Sequence, residues 1–193
     1  LFGGRRAQLA PLVYEAFNWQ HGVFVGATMA SELTAAQFGK LGVVRRDPMA
    51  MLPFCGYNMS DYFRHWLNMG SRMSNPPRIF HVNWFRTDDK GKFLWPGYGE
   101  NLRVIEWIIE RCHGEREATD TAIGYVPKVK DLDLTGLKVP EENIKKLVSI
   151  DRAAWLAEIE DQKKFFEQFG NTLPKRIIEE HNALEERVKK MKK

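Results

Sequence analysis

The chain has 193 residues, 44% of them hydrophobic, and a formal net charge of +4, enough for one substantial core in a soluble globular protein, as one domain or one with an appendage. No apolar run approaches the roughly 20 residues that a membrane span needs, and Cys55 and Cys112 are far apart in no C-x-x-C arrangement, so neither a span, a disulfide framework nor a structural zinc site is expected. The charge is spread along the chain, which suits an ordinary mixed surface or a small phosphorylated ligand better than nucleic acid.

The chain opens on Leu1, with Phe2, Gly3-Gly4 and the pair Arg5-Arg6 before any capping signal. It reads as the middle of something, so a fragment of a longer protein is expected; the order of a signal peptide is lacking. A reducing cytoplasm is the expected compartment. Arg5 and Arg6 are candidate phosphate ligands, because guanidinium forks bind phosphate oxygens bidentately and can offset charge during phosphoryl transfer. Tandem arginines also serve as plain surface charge.

Strands are predicted over 12–14 and 22–26, short β-branched or aromatic runs bounded by turn residues, and over 78–85, where apolar and polar residues alternate. The segment 31–42, with its small residues and two glycines, suits either a loop that closes over a site or an ordinary connection. A helix capped by Ser60-Asp61 carries Tyr62, Phe63, Trp66, Leu67 and Met69 on its apolar face and ends at Gly70.

The stretch KFLWPGYGEN, residues 92–101, sets three rings in a loop broken by Pro96, Gly97 and Gly99 and runs into a helix with Leu102, Ile105, Ile108 and Ile109 as its stripe and Gly114 as its stop. Backbone can approach a ligand closely in such a loop, and Gly99-Glu100-Asn101 places amide groups at a helix start. Rings above and below a flat base stack at roughly 1–3 kcal/mol each on nucleic-acid platforms, and the Asn101 amide offers one donor and one acceptor edge. With Phe85 as a further wall, these are the parts of a purine pocket. The competing reading makes Phe85, Phe93 and Trp95 core residues and Asn101 a cap.

A strand over 123–126 is stopped by Pro127, and from about Pro140 the sequence turns helical. Ile144, Leu147, Val148 and Ile150 form one stripe; Asp151 caps a second helix with Trp155, Ile159, Phe165, Phe166 and Phe169; Leu173-Pro174 opens a third through Ile177, Ile178, Leu184 and Val188. The predicted architecture is α/β, a mixed sheet with flanking helices over 1–139 and a helical appendage over 140–193. The sequence contains no G-x-x-x-x-G-K-S/T loop, complete G-x-G-x-x-G, H-E-x-x-H or nucleophile elbow. Its five histidines have no metal-ligand spacing, so no chemistry is assigned to them.

Taken together, FGGRR, PLVYEA, WQHGVFVGA, RDPMAMLPFCGYN, IFHVNWF, GKFLWPGYGEN and IGYVP resemble the C-terminal part of GTP-dependent phosphoenolpyruvate carboxykinase, in order and spacing, over essentially the whole chain. The aromatic-rich loop separates that family from the ATP-dependent carboxykinases. The resemblance implies a gluconeogenic lyase that decarboxylates oxaloacetate and transfers the γ-phosphoryl of GTP to give phosphoenolpyruvate, GDP and carbon dioxide. Partners implied are guanine nucleotide and oxaloacetate or phosphoenolpyruvate, with no nucleic acid and no membrane.

By this resemblance Phe85, Phe93 and Tyr98 are the guanine-sandwiching rings, and Asn101 reads the base edge beside the backbone of Tyr98, Gly99 and Glu100. Arg5 contacts the phosphoryl group in transfer, with Arg6 beside it. Residues 33–43 form a mobile lid that includes Thr34, Ala35, Ala36 and Gly39. Two departures stand out: Ala30 replaces an arginine of many relatives, and Tyr98 replaces the commoner Phe. The phosphate loop, the ligands of Mn2+, with Mg2+ accompanying the nucleotide, and the oxaloacetate-binding arginine are expected upstream of this chain, as for a truncated C-terminal portion. The parent enzyme is expected to be monomeric, whereas a fragment could self-associate through exposed apolar surface. A stand-alone guanine-nucleotide-binding module and a purely structural fragment are the other readings.

Overall fold

A computed structural model describes residues 1–33 and 43–192 of the chain. Thr34, Ala35, Ala36 and Gly39, expected in the lid, lie outside the described residues.

Five short strands form a mixed sheet: β1 (Phe2–Gly3), β2 (Val13–Glu15), β5 (Phe80–Val82), β6 (Thr119–Thr121) and β7 (Gly124–Val126). Their order is β1-β5-β2-β7-β6, with β1 parallel to β5 and the remaining neighbours antiparallel. Alternation along a strand sends successive side chains to opposite faces, and here each face meets its own apolar cluster. Val13, Phe80 and Val82 pack with Val104 and Trp107 of helix α3 (Asn101–His113) and with Ile144 and Leu147 of α4 (Glu141–Val148). Tyr14, on the other face, packs in the cluster that joins α1 (Trp19–Ala27), α2 (Met59–Met69), α5 (Arg152–Glu167) and α6 (Lys175–Lys189) through Phe24, Phe63, Ile159, Phe166 and Ile177. Each such buried side chain stabilises the fold by about 1.5–3 kcal/mol.

Helix α1 replaces the strand predicted over 22–26. His21 through Ala27 are all buried, so no polar face exists to betray a helical period, and Val23 and Val25 weighted the reading towards a strand. What starts the helix is Asn18, whose side chain accepts a hydrogen bond from the His21 N–H at 2.9 Å. The strand predicted over 78–85 is only β5. It stops because Asn83 turns the chain, its Oδ1 accepting from the Phe85 N–H at 3.2 Å.

Helix α2 is capped two residues earlier than predicted, by Asn58, which accepts from the Ser60 N–H. In α3 the stripe is displaced: Val104 and Trp107 are buried, while Leu102 and Ile109 face outward at 76% and 49% exposure. Gly114 ends that helix in the left-handed conformation, as predicted. The segment after 140 is helical where the spacing places it, and Asp151 caps α5 by accepting from the Ala154 N–H at 2.6 Å. These helices lie on both faces of the sheet, α4 on one and α5 and α6 on the other. A separate hairpin of β3 (Ala30–Glu32) and β4 (Val44–Arg46) pairs Ala30 with Arg46 and Glu32 with Val44.

Candidate functional site

The segment after β1 runs directly against the β3–β4 hairpin. A Cβ on Gly4 would lie 2.2 Å from the Ala30 carbonyl oxygen, so only glycine permits this approach. Arg5 N–H donates to Ser31 Oγ at 3.2 Å, Glu32 N–H to the Arg5 carbonyl at 2.8 Å, and Ala7 N–H to Glu32 Oε1 at 3.0 Å. From the sheet side, fully buried Asn83 accepts from the Arg6 N–H and donates through Nδ2 to the carbonyls of Arg6 and Ala10, at 2.7 and 2.9 Å. The same Oδ1 holds Phe85 in its turn. One amide side chain therefore fixes the arginine segment and the first ring relative to each other.

This arrangement brings three of the sequence-predicted residues together. The Arg5 guanidinium lies over the rings of Phe85 and Phe93, 5.3 and 5.5 Å from their centroids. Phe85 and Phe93 meet edge to face, with centroids 6.0 Å apart at 69°, and a bridge between Thr87 and Phe93 closes the loop that carries the second ring. Both rings are partly exposed, at 37% and 46%. Arg5 thus borders an aromatic surface open to solvent.

Arg6 points the other way, into the protein. Its Nη2 donates to Glu158 Oε2 at 2.6 Å and its Nε lies 3.7 Å from Glu32. Glu158 also accepts from Arg46 Nη1 at 2.6 Å, and Arg46 further bonds the Thr28 carbonyl and Asp161. At Ala30, where relatives are expected to carry arginine, the residue directly across the hairpin is Arg46. The hairpin reaches α5 through the Arg46 guanidinium.

The stretch 92–101 separates into a buried anchor and an exposed turn. Trp95 is 1% exposed and its indole Nε1 donates to Asn101 Oδ1 at 2.8 Å. Of the three rings in this loop Trp95 is therefore core rather than a wall for a base, and nothing in the spacing marks it as the partner that orients Asn101. Gly97 takes φ +120 to enter the turn of Tyr98–Glu100 that leads into α3. Tyr98 is 93% exposed, and among the described residues it stacks on no other ring. The Glu100 carboxylate bonds Arg103 Nε at 2.6 Å. A broad concavity of about 620 Å³ begins at Gly99 and Glu100 but continues along the outer side of α3 past Glu106, Glu110 and Asp133, an acidic lining that disfavours phosphate.

Among the described residues no group of three or more His, Cys, Asp or Glu could hold a metal ion. No helix is long and apolar enough to cross a membrane among these residues.

The fold and these residues define an α/β domain of mixed sheet and flanking helices, with an arginine and an aromatic surface where β1 and β5 end. Residues 1–187 match the family model described as phosphoenolpyruvate carboxykinase C-terminal P-loop domain, and the chain belongs to the GTP-dependent phosphoenolpyruvate carboxykinase family. It is 52% identical over 193 residues to phosphoenolpyruvate carboxykinase [GTP] of Anaeromyxobacter dehalogenans, covering 100% of this chain and 32% of that protein. It is 53% identical over 188 residues to the protein of the same name from Thermoplasma volcanium, covering 97% and 31%, and 52% identical over 192 residues to that of Neocallimastix frontalis, covering 98% and 31%. The chain spans about a third of the length of the curated relatives it matches.

Proposed function

We propose that the chain supplies the guanine-binding part of a GTP-dependent phosphoenolpyruvate carboxykinase, which converts oxaloacetate and GTP to phosphoenolpyruvate, GDP and carbon dioxide. Phe85, Phe93 and Tyr98 wall the base, and Asn101 reads its edge beside the backbone of 98–100. The residues that touch nucleotide lie in 1–139, and 140–193 is the helical part that carries Glu158. The observation that supports this reading most directly is the Arg5 guanidinium over two solvent-open rings: a cation that can meet phosphate adjoins surfaces that can stack on a base. The Trp95 bond to Asn101 Oδ1 adds an oriented amide whose Nδ2 can donate to the 6-oxo group of guanine, where adenine presents a donor of its own.

In the transfer step these residues position rather than react. Catalysis of phosphoryl transfer rests mainly on alignment and charge neutralisation. Arg5 offsets negative charge on the phosphoryl group as it passes between GDP and the enolate left by decarboxylation. The phosphate loop and metal ligands belong to the remaining length of the enzyme, so this chain alone is expected to turn over negligibly; manganese-dependent carboxylation at a rate near that of a full-length relative would refute that. The exposed Leu102 and Ile109 are apolar surface through which the isolated chain could self-associate.

Calorimetric titration with GDP and, separately, ADP tests the pocket without the other catalytic groups. Binding of GDP well above ADP is expected. Equal affinity would remove Asn101 as the base reader, and no binding of either would leave the chain a structural part of the enzyme.

A further inference from the structure

Behind Arg6 lies a small cavity of about 30 Å³, between the sheet and α5, lined among others by Arg6, Tyr14, His81, Trp155, Glu158 and Gln162. Four buried polar atoms of these lining residues have no hydrogen-bond partner among the described residues: Trp155 Nε1, His81 Nδ1, Gln162 Oε1 and Arg6 Nε, the last 3.7 Å from Glu32. Trp155, His81 and Gln162 are 5%, 6% and 3% exposed, so bulk solvent does not serve them. Buried polar groups in native proteins are almost always satisfied, and four such atoms around one void mean that something occupies it.

We propose that this cavity is an internal hydration site, holding one or two bound waters that join Arg6 and the sheet to helix α5. The volume suits that occupant, because seating one water takes about 10–15 Å³. The chemistry selects water over an ion. Arg6 Nε and the Trp155 indole can only donate, whereas Gln162 Oε1 can only accept. An anion would satisfy the donors, leave Gln162 unmet and face the Glu158 carboxylate; a cation would face the guanidiniums of Arg6 and Arg46, both bonded to Glu158. Water accepts two hydrogen bonds and donates two, and the imidazole of His81 takes whichever remains.

The site lies at a junction. Its lining takes Tyr14 from β2, His81 from β5, Thr28 and Met29 from the approach to the hairpin, Ala30 from β3, and Trp155, Glu158 and Gln162 from α5. Glu158 bonds both Arg6 and Arg46 directly, and the water completes the shell around that carboxylate's partners. The inference stands on these atoms alone and does not require the guanine-pocket reading.

A crystal structure of the chain at a resolution that shows ordered solvent tests it. Density for water about 3 Å from Trp155 Nε1 and Gln162 Oε1 is the expected result; a dry void, or side chains turned to bond one another, would overturn the proposal. In solution, the Trp155 indole proton should show a cross-peak to water in rotating-frame NMR. Trp95 supplies the control, because its side chain is equally buried but its indole Nε1 already donates to Asn101 Oδ1 at 2.8 Å. Gln162→Leu, which removes one acceptor, is expected to lose the Trp155 peak, and a peak at Trp95 equal to that at Trp155 would count against a specific site.

Discussion

Arg5 sits over the ring surfaces that a base would need. A cation over an aromatic face is held by about 0.5–2 kcal/mol, so a base entering this surface displaces the guanidinium, which is then free to follow the phosphates. Arg5→Gln should therefore bind guanosine, which has no phosphate, about 2–30-fold more tightly and GDP about tenfold more weakly. Calorimetry with both ligands checks this, and shifts of the same sign would rule the displacement out. Arg5, Phe85, Phe93 and Asn101 could be picked out as candidates in the sequence because their residue types suit phosphate, base and edge. Asn83 and Glu158 were not. Asn83 read as one polar position in an alternating strand, and Glu158 as one charge on a helix; what gives them weight is Arg6, 77 positions from the first and 152 from the second.

Among the elements, α5 carries the buried carboxylate that ties the hairpin and the arginine segment together. Glu158 is 4% exposed at its side chain, and its partners Arg6 and Arg46 are 11% and 8% exposed. Removing one member of a buried ion network strands the others without compensation and costs about 3–5 kcal/mol. Urea denaturation of Glu158→Ala should show a loss of that size. A loss within about 1 kcal/mol, the range of an exposed pair, would show that the network contributes no more than surface charge. The C-terminal helices were legible because their apolar stripes and the Asp151 cap follow helical spacing. Helix α1 was not, because burial on all sides leaves no period to read, and in α3 the apolar residues lie on both sides of the helix.

Across the whole molecule, acid should act through buried histidines. His21 and His81 are held at about 3 and about 4, mainly because burial penalises the imidazolium and further because Arg187 and Arg6 repel it. Unfolding returns both to about 6.5, so below that pH the unfolded chain binds more protons and stability falls as pH falls. The contribution is complete above about pH 6.5 and is lost towards pH 4, at up to about 1.4 kcal/mol per pH unit for each histidine. Urea midpoints measured from about pH 7 to 5, above the range where most carboxylates titrate, should drop with pH. In His81→Gln they should drop about half as steeply, and an unchanged slope would exclude His81 as a source.

The Arg6–Glu158 bond also has a meaning in time. It links positions 152 residues apart, and contacts so distant in sequence are slow to form because the loop between them must first be closed. As the chain leaves the ribosome, the segment bearing Arg5 is made long before α5, yet it cannot be locked until Glu158 has been synthesised and α5 has docked. Its arginines emerge before the rings and Asn101 and are among the last of these groups to be put in place.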